Sequence, residues 1–163
     1  MGNEIDVRDH LAICDTVYRY ATGLDQRNWE LYRSIFTDEV RVDFSSYDER
    51  TNYRVPVDQW MAQVVPLFTG LASTQHSMTN PRVYLDGERT ICQMYMQADH
   101  VLDPDDPDSW FVFGGYYTDE LVKTDDRGWL ITEVVLSVYW RRGKPEIMPV
   151  ARERGTRILS SDA

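Results

Sequence analysis

STQHSMTNPRVYLDGERTICQMYMQADHVL, residues 73–102, contains two long alternating runs on either side of the turn signal DGE at 86–88. Alternating apolar and polar residues around an Asp-Gly turn are typical of a β-hairpin, so two antiparallel strands are predicted over about 75–85 and 89–102. Side chains alternate between the faces of a strand, and the second run therefore places its apolar residues and one histidine on a common face. That face carries Cys92, Met94, Met96, Ala98, His100 and Leu102.

Two further strands are predicted downstream, over about 110–123 and 129–141, because DPDDPD at 103–108 and DDRG at 125–128 are turn sequences. Four long consecutive strands joined by short turns predict an antiparallel meander that curves strongly. The last strand is apolar on both faces. One of its faces is therefore expected to line the interior and the other to meet a subunit partner.

The residues before this meander are mainly helical. Apolar residues at helical spacing predict a helix from Ile5 to about Leu24, a short helix over 28–36 and a third helix over 57–70. An alternating strand at 40–45 lies between the last two helices. Helices followed by strands are the α+β pattern, in which the helices cover the concave face of the sheet. A curved sheet covered in this way encloses a pocket.

Composition restricts the class of protein and its partners. The chain of 163 residues has 17 Lys and Arg against 27 Asp and Glu, which gives a formal charge of −10. This length fits one domain, and the acidic excess argues against nucleic acid and membrane surfaces, because both attract clustered positive charge. No run approaches the ~18 apolar residues of a membrane span, and the first ten residues are too polar for a signal peptide. A cytoplasmic protein is therefore expected.

The sequence predicts neither a metal site nor a cofactor. Cys14 and Cys92 lie in apolar settings without metal-ligand spacing, so both are expected to be reduced core residues. The acidic stretch 103–108 lacks the spacing and the closing Glu of a calcium loop. A Gly-rich phosphate loop, a Ser nucleophile elbow and an HExxH motif are all absent from the sequence.

Two residues are candidates for acid–base chemistry. His76 leads into a strand, and imidazole, with an ordinary pKa of ~6.5, can take a proton near neutral pH. Asp25 lies one residue beyond the apolar stripe of the first helix, where it can orient an imidazole and stabilise its charged form. The structural alternatives stay open, since an Asp at a helix end is commonly a cap and a His before a strand is commonly a core residue. Tyr20 lies five residues before Asp25, on loosely the same side of the helix.

Three segments carry a resemblance to a known family. They are residues 13–45 (ICDTVYRYATGLDQRNWELYRSIFTDEVRVDFS), residues 73–102 and residues 113–140 (FGGYYTDELVKTDDRGWLITEVVLSVYW). In this order they resemble the SnoaL-like branch of the nuclear transport factor 2-like superfamily. Within that branch the pattern is similar to the group of scytalone dehydratase, bile acid 7-alpha-dehydratase and hexachlorocyclohexane dehydrochlorinase.

The resemblance implies a fold and a domain organisation. The fold is an α+β cone-shaped barrel, made of a strongly curved, mostly antiparallel sheet closed by about three N-terminal helices. A single SnoaL-like domain is expected over residues 1–145. Residues 146–163 are expected to form an extension that is irregular or packs on a neighbouring subunit.

The resemblance also implies a mechanism without cofactors, in which a His–Asp pair removes a proton and a leaving group departs. The Asp of that pair falls on Asp25 and the His falls on His76. Tyr20 matches a tyrosine that helps to polarise the substrate oxygen, and His100 lies near the position of a second pocket histidine. Val134 stands near the place of an arginine of the dehydrochlorinase, which argues against halide stabilisation.

A cofactor-independent lyase or isomerase of the dehydratase type is therefore predicted, acting on a hydrophobic, cyclic small molecule. His76 is expected to remove a proton beside a carbonyl group, and Asp25 to orient the imidazole. Tyr20 and His100 are expected to donate hydrogen bonds to the substrate oxygen. The rest of the substrate-binding lining is expected to comprise Phe44, Tyr47, Trp60, Met78, Met96 and Phe113.

Three alternatives share the expected fold. A polyketide-cyclase-like enzyme would use the same pocket for an aldol or ring-closing reaction. A non-catalytic protein would hold a small ligand unaltered, and a protein like the small subunit of a dioxygenase would accompany a large chain. A homodimer, and next a homotrimer, is expected for the protein, because the last strand is apolar on both faces.

Overall fold

The computed structural model describes residues 5–161, which form four helices and six strands. The helices are Val7–Asp25 (α1), Trp29–Ser34 (α2), Val57–Gly70 (α3) and Ile147–Ser161 (α4). The strands are Phe36–Asp43 (β1), Asn52–Pro56 (β2), Ser73–Asp86 (β3), Arg89–Val101 (β4), Trp110–Thr124 (β5) and Gly128–Gly143 (β6). The four long strands predicted from the turn sequences are confirmed as β3 to β6.

The six strands form one curved sheet in the order β2-β1-β6-β5-β4-β3. Neighbouring strands are antiparallel, except that β1 and β6 run parallel. The predicted α+β class and the mostly antiparallel sheet are confirmed. In the part of the chain that the structure describes, the sheet ends at β2 and β3 without closing on itself, and helices cover its concave face.

Register irregularities bend the long strands. The β3–β4 register shifts between Thr79 and Arg82, and the β5–β6 register shifts between Gly114 and Gly115. A β-bulge of this kind increases the local twist and bends the strand. A side chain at Gly115 would collide with the carbonyl group of Ser137, so this close approach of two strands requires glycine. The bends turn the inner face of the sheet into a concave wall.

Helix α1 covers part of that concave wall. The helix begins after Asp6, whose side chain accepts a hydrogen bond from the backbone N–H of Arg8 at 2.6 Å. This cap satisfies one of the free N–H groups of the first turn. The apolar face of β4 is buried, as predicted, from Cys92 to His100. The buried stripe of α1, which packs on β3 and β4, includes Ile13, Cys14, Val17, Tyr20 and Leu24.

The C-terminal segment differs from its sequence prediction. Residues 146–163 are expected to be irregular or to pack on a neighbouring subunit. The irregular alternative is corrected, because α4 is a helix packed against α3 of the same chain. Neither Gly70 of α3 nor Gly155 of α4 has room for a side chain at this contact. Glycine also lowers helical propensity, which weakens the helical pattern of α4 in the sequence. Residues 1–4 and 162–163 of the two predicted segments lie outside the described residues.

Other sequence expectations concern the cysteines, the sheet edge and the membrane. Both cysteines are free and buried, as predicted. The edge strand β2 is missing from the sequence prediction, because its five residues alternate between half-buried and exposed positions and contain no apolar run. No helix within residues 5–161 has the length and apolar content needed to cross a bilayer.

Candidate active site

Asp25 and His76 meet where the end of α1 lies against β3. The Oδ1 atom of Asp25 is 2.7 Å from Nδ1 of the His76 ring, and Oδ2 accepts a hydrogen bond from the His76 backbone N–H at 2.7 Å. One carboxylate therefore holds both the ring and the backbone of the same residue. This double contact fixes the direction in which the imidazole points before any ligand binds.

The same contacts determine where the protons of the pair lie. Burial acts to raise the pKa of Asp25, but the hydrogen bonds and the charge of His76 outweigh burial and hold the pKa below its ordinary value. Asp25 is therefore a carboxylate, and in the neutral form of the His76 imidazole its Oδ1 accepts the Nδ1–H. The Nε2 lone pair of that ring stays free, and the His76 side chain is only 3% exposed. A buried imidazole with a free lone pair and a carboxylate behind it can act as a general base.

Thr74 and Arg27 support Asp25, and sequence inspection does not single out either residue. The Thr74 hydroxyl donates to Asp25 Oδ1 at 2.9 Å and accepts from Arg27 Nη1 at 2.8 Å. The Nε–H of Arg27 also donates to the backbone carbonyl group of Phe68 at 3.1 Å. The φ of Arg27 is +54°, which is uncommon for a residue with a side chain. The signal that identifies Thr74 is its spacing, since it lies two residues before His76 on the same face of β3.

A cavity of about 180 Å³ lies beside the His76 ring. Its wall is mainly apolar and aromatic, which suits a hydrophobic ring compound. The cavity is also lined by three aromatic residues outside the predicted substrate-binding set, Tyr32, Phe68 and Tyr117. The residues of the predicted substrate-binding set that do line it are Tyr20, Phe44, Tyr47, Trp60, His100 and Phe113.

Met78 and Met96 of the predicted substrate-binding set do not line this cavity. Met96 is 3% exposed and belongs to the buried core, and Met78 packs against that core. The two residues are paired across β3 and β4. Strand alternation correctly predicts that Met96 points inward, but it does not predict how far along the inner face the cavity extends.

Three tyrosine side chains pack together as a cluster in the cavity wall. The ring centroid of Tyr20 lies 5.1 Å from that of Tyr32 and 5.2 Å from that of Tyr117. Trp60 Nε1 donates to the Tyr32 hydroxyl at 3.1 Å. Burial, followed by the neighbouring phenols, raises the pKa of Tyr20 well above its ordinary value, so its hydroxyl stays protonated. The Tyr20 ring lies 6.5 Å from the His76 ring, so neutral phenols and an imidazole line the same cavity.

His100 is the second histidine of the cavity wall. Its ring centroid is 5.9 Å from that of His76, and the ring stacks on Phe113 at 5.2 Å with an interplanar angle of 14°. The Nδ1 atom lies 3.2 Å from the carbonyl oxygen of Phe111. Burial, and then the neighbouring His76, lower the pKa of His100 to about 3. The His100 ring is therefore neutral near pH 7.

Polar residues form the more exposed part of the lining. The Tyr53 hydroxyl donates to Gln63 Oε1 at 2.7 Å, and the guanidinium group of Arg152 donates to the Gln63 carbonyl group. Asp48, also in the lining, is paired with Arg50. Within residues 5–161, no group of three or more His, Cys, Asp or Glu side chains is placed to hold a metal ion.

Comparison with proteins of known sequence identifies the family. A family profile described as SnoaL-like domain matches residues 6–135. An uncharacterized protein of Mycobacterium tuberculosis is 26% identical over 126 residues, which cover 77% of this chain and 82% of that protein. Scytalone dehydratase of Pyricularia oryzae is 24% identical over 80 residues, which cover 49% of this chain and 42% of that enzyme.

Comparison with solved structures gives the same result for the fold. The protein Kfla4162 from Kribbella flavida is similar with a TM-score of 0.78 at 26% identity, over 89% of this chain and 97% of that chain. A hexachlorocyclohexane dehydrochlorinase, LinA type 2, has the same fold, with a TM-score of 0.63 at 18% identity over 84% of this chain and 92% of that chain. The resemblance to the SnoaL-like branch is thereby confirmed. The chain belongs to the SnoaL-like domain family and has the nuclear transport factor 2-like fold.

Proposed function

We propose that the protein is a cofactor-independent lyase or isomerase of the dehydratase type that acts on a hydrophobic, cyclic small molecule. The observation that carries the proposal is the contact between Asp25 and His76 Nδ1, which leaves the His76 Nε2 lone pair beside an aromatic cavity. The family supports the proposal, because the relatives of the chain include a dehydratase and a protein of the same fold is a dehydrochlorinase.

The first step of the proposed reaction is proton abstraction. His76 Nε2 takes a proton from a substrate carbon next to a carbonyl group. The electron pair of the broken C–H bond moves onto the carbonyl oxygen and gives an enolate. The carboxylate of Asp25, 2.7 Å from Nδ1, stabilises the imidazolium that forms at the same time.

The second step is the collapse of the enolate. The protonated Tyr20 hydroxyl donates a hydrogen bond to the enolate oxygen, and this interaction is stronger in an apolar cavity than in water. The electron pair then returns and expels a hydroxyl group from the next carbon. The His76 imidazolium gives its proton to that hydroxyl group, so water leaves and the imidazole is neutral again. In an isomerase the imidazolium returns the proton to a different carbon.

Exchange of α-protons tests the first step without knowledge of the natural substrate. The probe is 2-tetralone, a bicyclic ketone, incubated with the protein in D₂O and followed by proton NMR. Variants His76→Gln and Asp25→Asn are expected to exchange at least about 100-fold more slowly than the wild type, because general base catalysis contributes on this scale. The matched control is His10→Gln, since His10 lies on α1 and does not line the cavity.

The exchange assay separates the proposal from its main rival. Exchange by His76→Gln at the wild-type rate contradicts the proposed role of the His–Asp pair. Wild-type protein that binds 2-tetralone and exchanges no protons favours a non-catalytic ligand-binding protein instead.

A further inference from the structure

An arginine of α4 stands in the more exposed part of the cavity lining, which we call the polar rim. The polar rim consists of Asp48, Tyr53, Gln63 and Arg152. A guanidinium group has five N–H donors, and Arg152 gives one of them to the backbone carbonyl group of Gln63. No ion pair joins Arg152 to a carboxylate within residues 5–161. Arg152 therefore presents a positive charge and further N–H donors at the cavity.

Two carboxylates near Arg152 in space or in sequence have other partners. Asp48 belongs to the same lining, but its two oxygens accept from Nε and Nη2 of Arg50, at 3.0 and 2.8 Å. Glu153 follows Arg152 on α4 and pairs with Arg157 at 3.2 Å. The charge of Arg152 is thus not neutralised by either acid, although the chain as a whole carries a charge of −10.

A second arginine adds positive charge beside the polar rim. The Arg141 guanidinium lies 4.9 Å from the centroid of the Tyr47 ring, and its Nη2 donates to the carbonyl groups of Ser46 and Tyr47, at 2.9 Å each. Burial raises the pKa of Tyr47, and the charges of Arg141 and Arg152 both act in the opposite direction. Both guanidinium groups therefore lie close enough to the Tyr47 hydroxyl, which lines the cavity, to affect its ionisation.

We propose that Arg152 binds a carboxylate group of the substrate at the polar rim, so that the substrate is a cyclic ketone with an acidic substituent. This inference deepens the proposed function and rests on it. A carboxylate is planar and matches the N–H fork of a guanidinium group. A doubly charged phosphate fits less well, because the charge of Asp48 in the same lining opposes a dianion more than a monoanion.

The position of this site along the chain separates it from the residues that define the family. Arg141 and Arg152 both lie beyond residue 135, where the match to the family profile ends. The His–Asp pair lies within the matched residues. The catalytic pair therefore belongs to the part of the chain that the family shares, and the carboxylate site belongs to the segment that α4 adds.

Calorimetric titration with two ligands of equal shape tests the inference. 2-Naphthoate carries a carboxylate where 2-naphthamide carries a neutral amide. At pH 8 and low ionic strength, the wild type is expected to bind 2-naphthoate about fivefold more tightly than 2-naphthamide, the scale of one partly exposed ion pair. The preference is expected to fall in about 0.5 M sodium chloride, because salt screens an exposed charge.

Variants of α4 assign the preference to one arginine. Arg152→Gln is expected to bind both ligands equally, and Arg152→Lys is expected to keep part of the preference because it keeps the charge. The matched control is Arg154→Gln, which loses the same charge on the same helix at an exposed residue outside the lining, where the guanidinium also donates to a backbone carbonyl group. Affinity for 2-naphthamide shows in each variant that the cavity is intact.

Three outcomes overturn the inference: a wild type without the preference, an Arg152→Gln variant that retains it, and an Arg154→Gln variant that loses it. His76→Gln is expected to keep the preference, and its loss there would place the carboxylate at the His–Asp pair instead. Equilibrium binding involves no proton exchange. A protein that prefers 2-naphthoate and exchanges no α-protons contradicts the proposed reaction alone, so the two failures are distinguishable.

Discussion

At the scale of single residues, Asp25 is held in place before any ligand binds. Its carboxylate accepts from the ring and the backbone of His76 and from the hydroxyl of Thr74. A carboxylate with three fixed partners needs little reorganisation when the imidazolium forms, and this pre-organisation favours catalysis. Thr74 helps to hold the Asp25 carboxylate in place, although Thr74 does not line the cavity.

Replacing Thr74 by Val is expected to slow α-proton exchange about tenfold, because the variant loses a hydrogen bond to a charged carboxylate. The affinity for 2-tetralone is expected to stay unchanged, since Thr74 does not line the cavity. The matched control is Thr79→Val, an exposed position on the same strand. Exchange by Thr74→Val at the rate of the Thr79→Val control contradicts this role.

Asp119 is a second buried carboxyl group, and the proposed reaction does not use it. Only 1% of the residue is exposed, and Oδ1 has no hydrogen-bond partner among the described residues. Burial raises the pKa of Asp119 well above its ordinary value of 3.8, so folding favours the protonated form of this group. The unfolded chain loses the same proton near its ordinary pKa. The contribution of Asp119 to the unfolding free energy is therefore most favourable below about pH 4. This contribution is lost as the pH rises.

Asp119→Asn is expected to remove this pH dependence. The gain in unfolding free energy of the variant over the wild type should grow with pH above about pH 4, by up to about 1.4 kcal/mol per pH unit. Urea unfolding at several pH values between 5 and 8 measures this difference, and Asp126→Asn, at an exposed turn, is the control. A difference that is constant across the range shows that Asp119 is ionised in the folded protein.

The sequence predicts individual site residues better than the contacts between them. Asp25 and His76 are identified because their types and order match a family pattern. Thr74 and Arg27 are not, because their roles depend on α1 lying against β3, which no local pattern encodes. The orientation of the His100 ring is not predicted for a similar reason, since the carbonyl group beside its Nδ1 belongs to the neighbouring strand.

At the scale of elements, α4 completes the cavity. Met148 and Arg152 of this helix belong to the cavity lining, and the helix is held on α3 by a contact without space for side chains at Gly70 and Gly155. Close packing of two helices through glycine leaves almost no room for adjustment. The position of the lining residues therefore depends on glycines that lie outside the cavity.

Gly155→Ala is expected to lower the unfolding free energy by about 1–3 kcal/mol, because the new methyl group meets the backbone of α3. The same change is expected to weaken 2-tetralone binding, since Met148 and Arg152 of the cavity lining move with α4. Urea unfolding and calorimetry measure the two effects, with Thr156→Ala at the adjacent exposed position as the control. Equal unfolding free energies of Gly155→Ala and Thr156→Ala contradict this prediction, because α4 would then shift to accept the methyl group without loss of stability.

The elements differ in how far their own sequence predicts them. β4 is predicted almost to the residue, because its alternation is uninterrupted and a tight Asp-Gly turn precedes it. α4 and β2 are missed because neither has a strong pattern of its own. Both are stabilised by packing against elements that are distant in the sequence, α3 for the helix and β1 for the strand.

At the scale of the whole molecule, the outer face of the sheet is unlike the rest of the surface. Tyr95, Tyr139 and Trp140 are 60%, 68% and 45% exposed there. They border a groove that contains no charged residue, whereas the chain as a whole carries a charge of −10. Two copies can approach through this face without placing like charges in contact, and exposed aromatic patches commonly mark interfaces. We propose that a second copy of the chain covers it.

Sedimentation velocity tests this proposal. The wild type is expected to sediment as a homodimer, with a homotrimer as the next expected state, and Tyr139→Glu is expected to sediment as a monomer. The control is Val7→Glu, which places the same charge at a position 70% exposed on α1, away from the outer face of the sheet. A monomeric wild type, or an unchanged state in Tyr139→Glu, contradicts the proposal.

The double contact of Asp25 with His76 has a stereochemical consequence. With both the backbone N–H and the ring of His76 held by one carboxylate, the imidazole has a single orientation relative to the cavity wall. A base with one orientation reaches a bound ring from one face only. Of the two hydrogens on a prochiral carbon, the protein would therefore remove the same one in every turnover, and the handedness of its product would follow from the placement of a single aspartate at the end of α1.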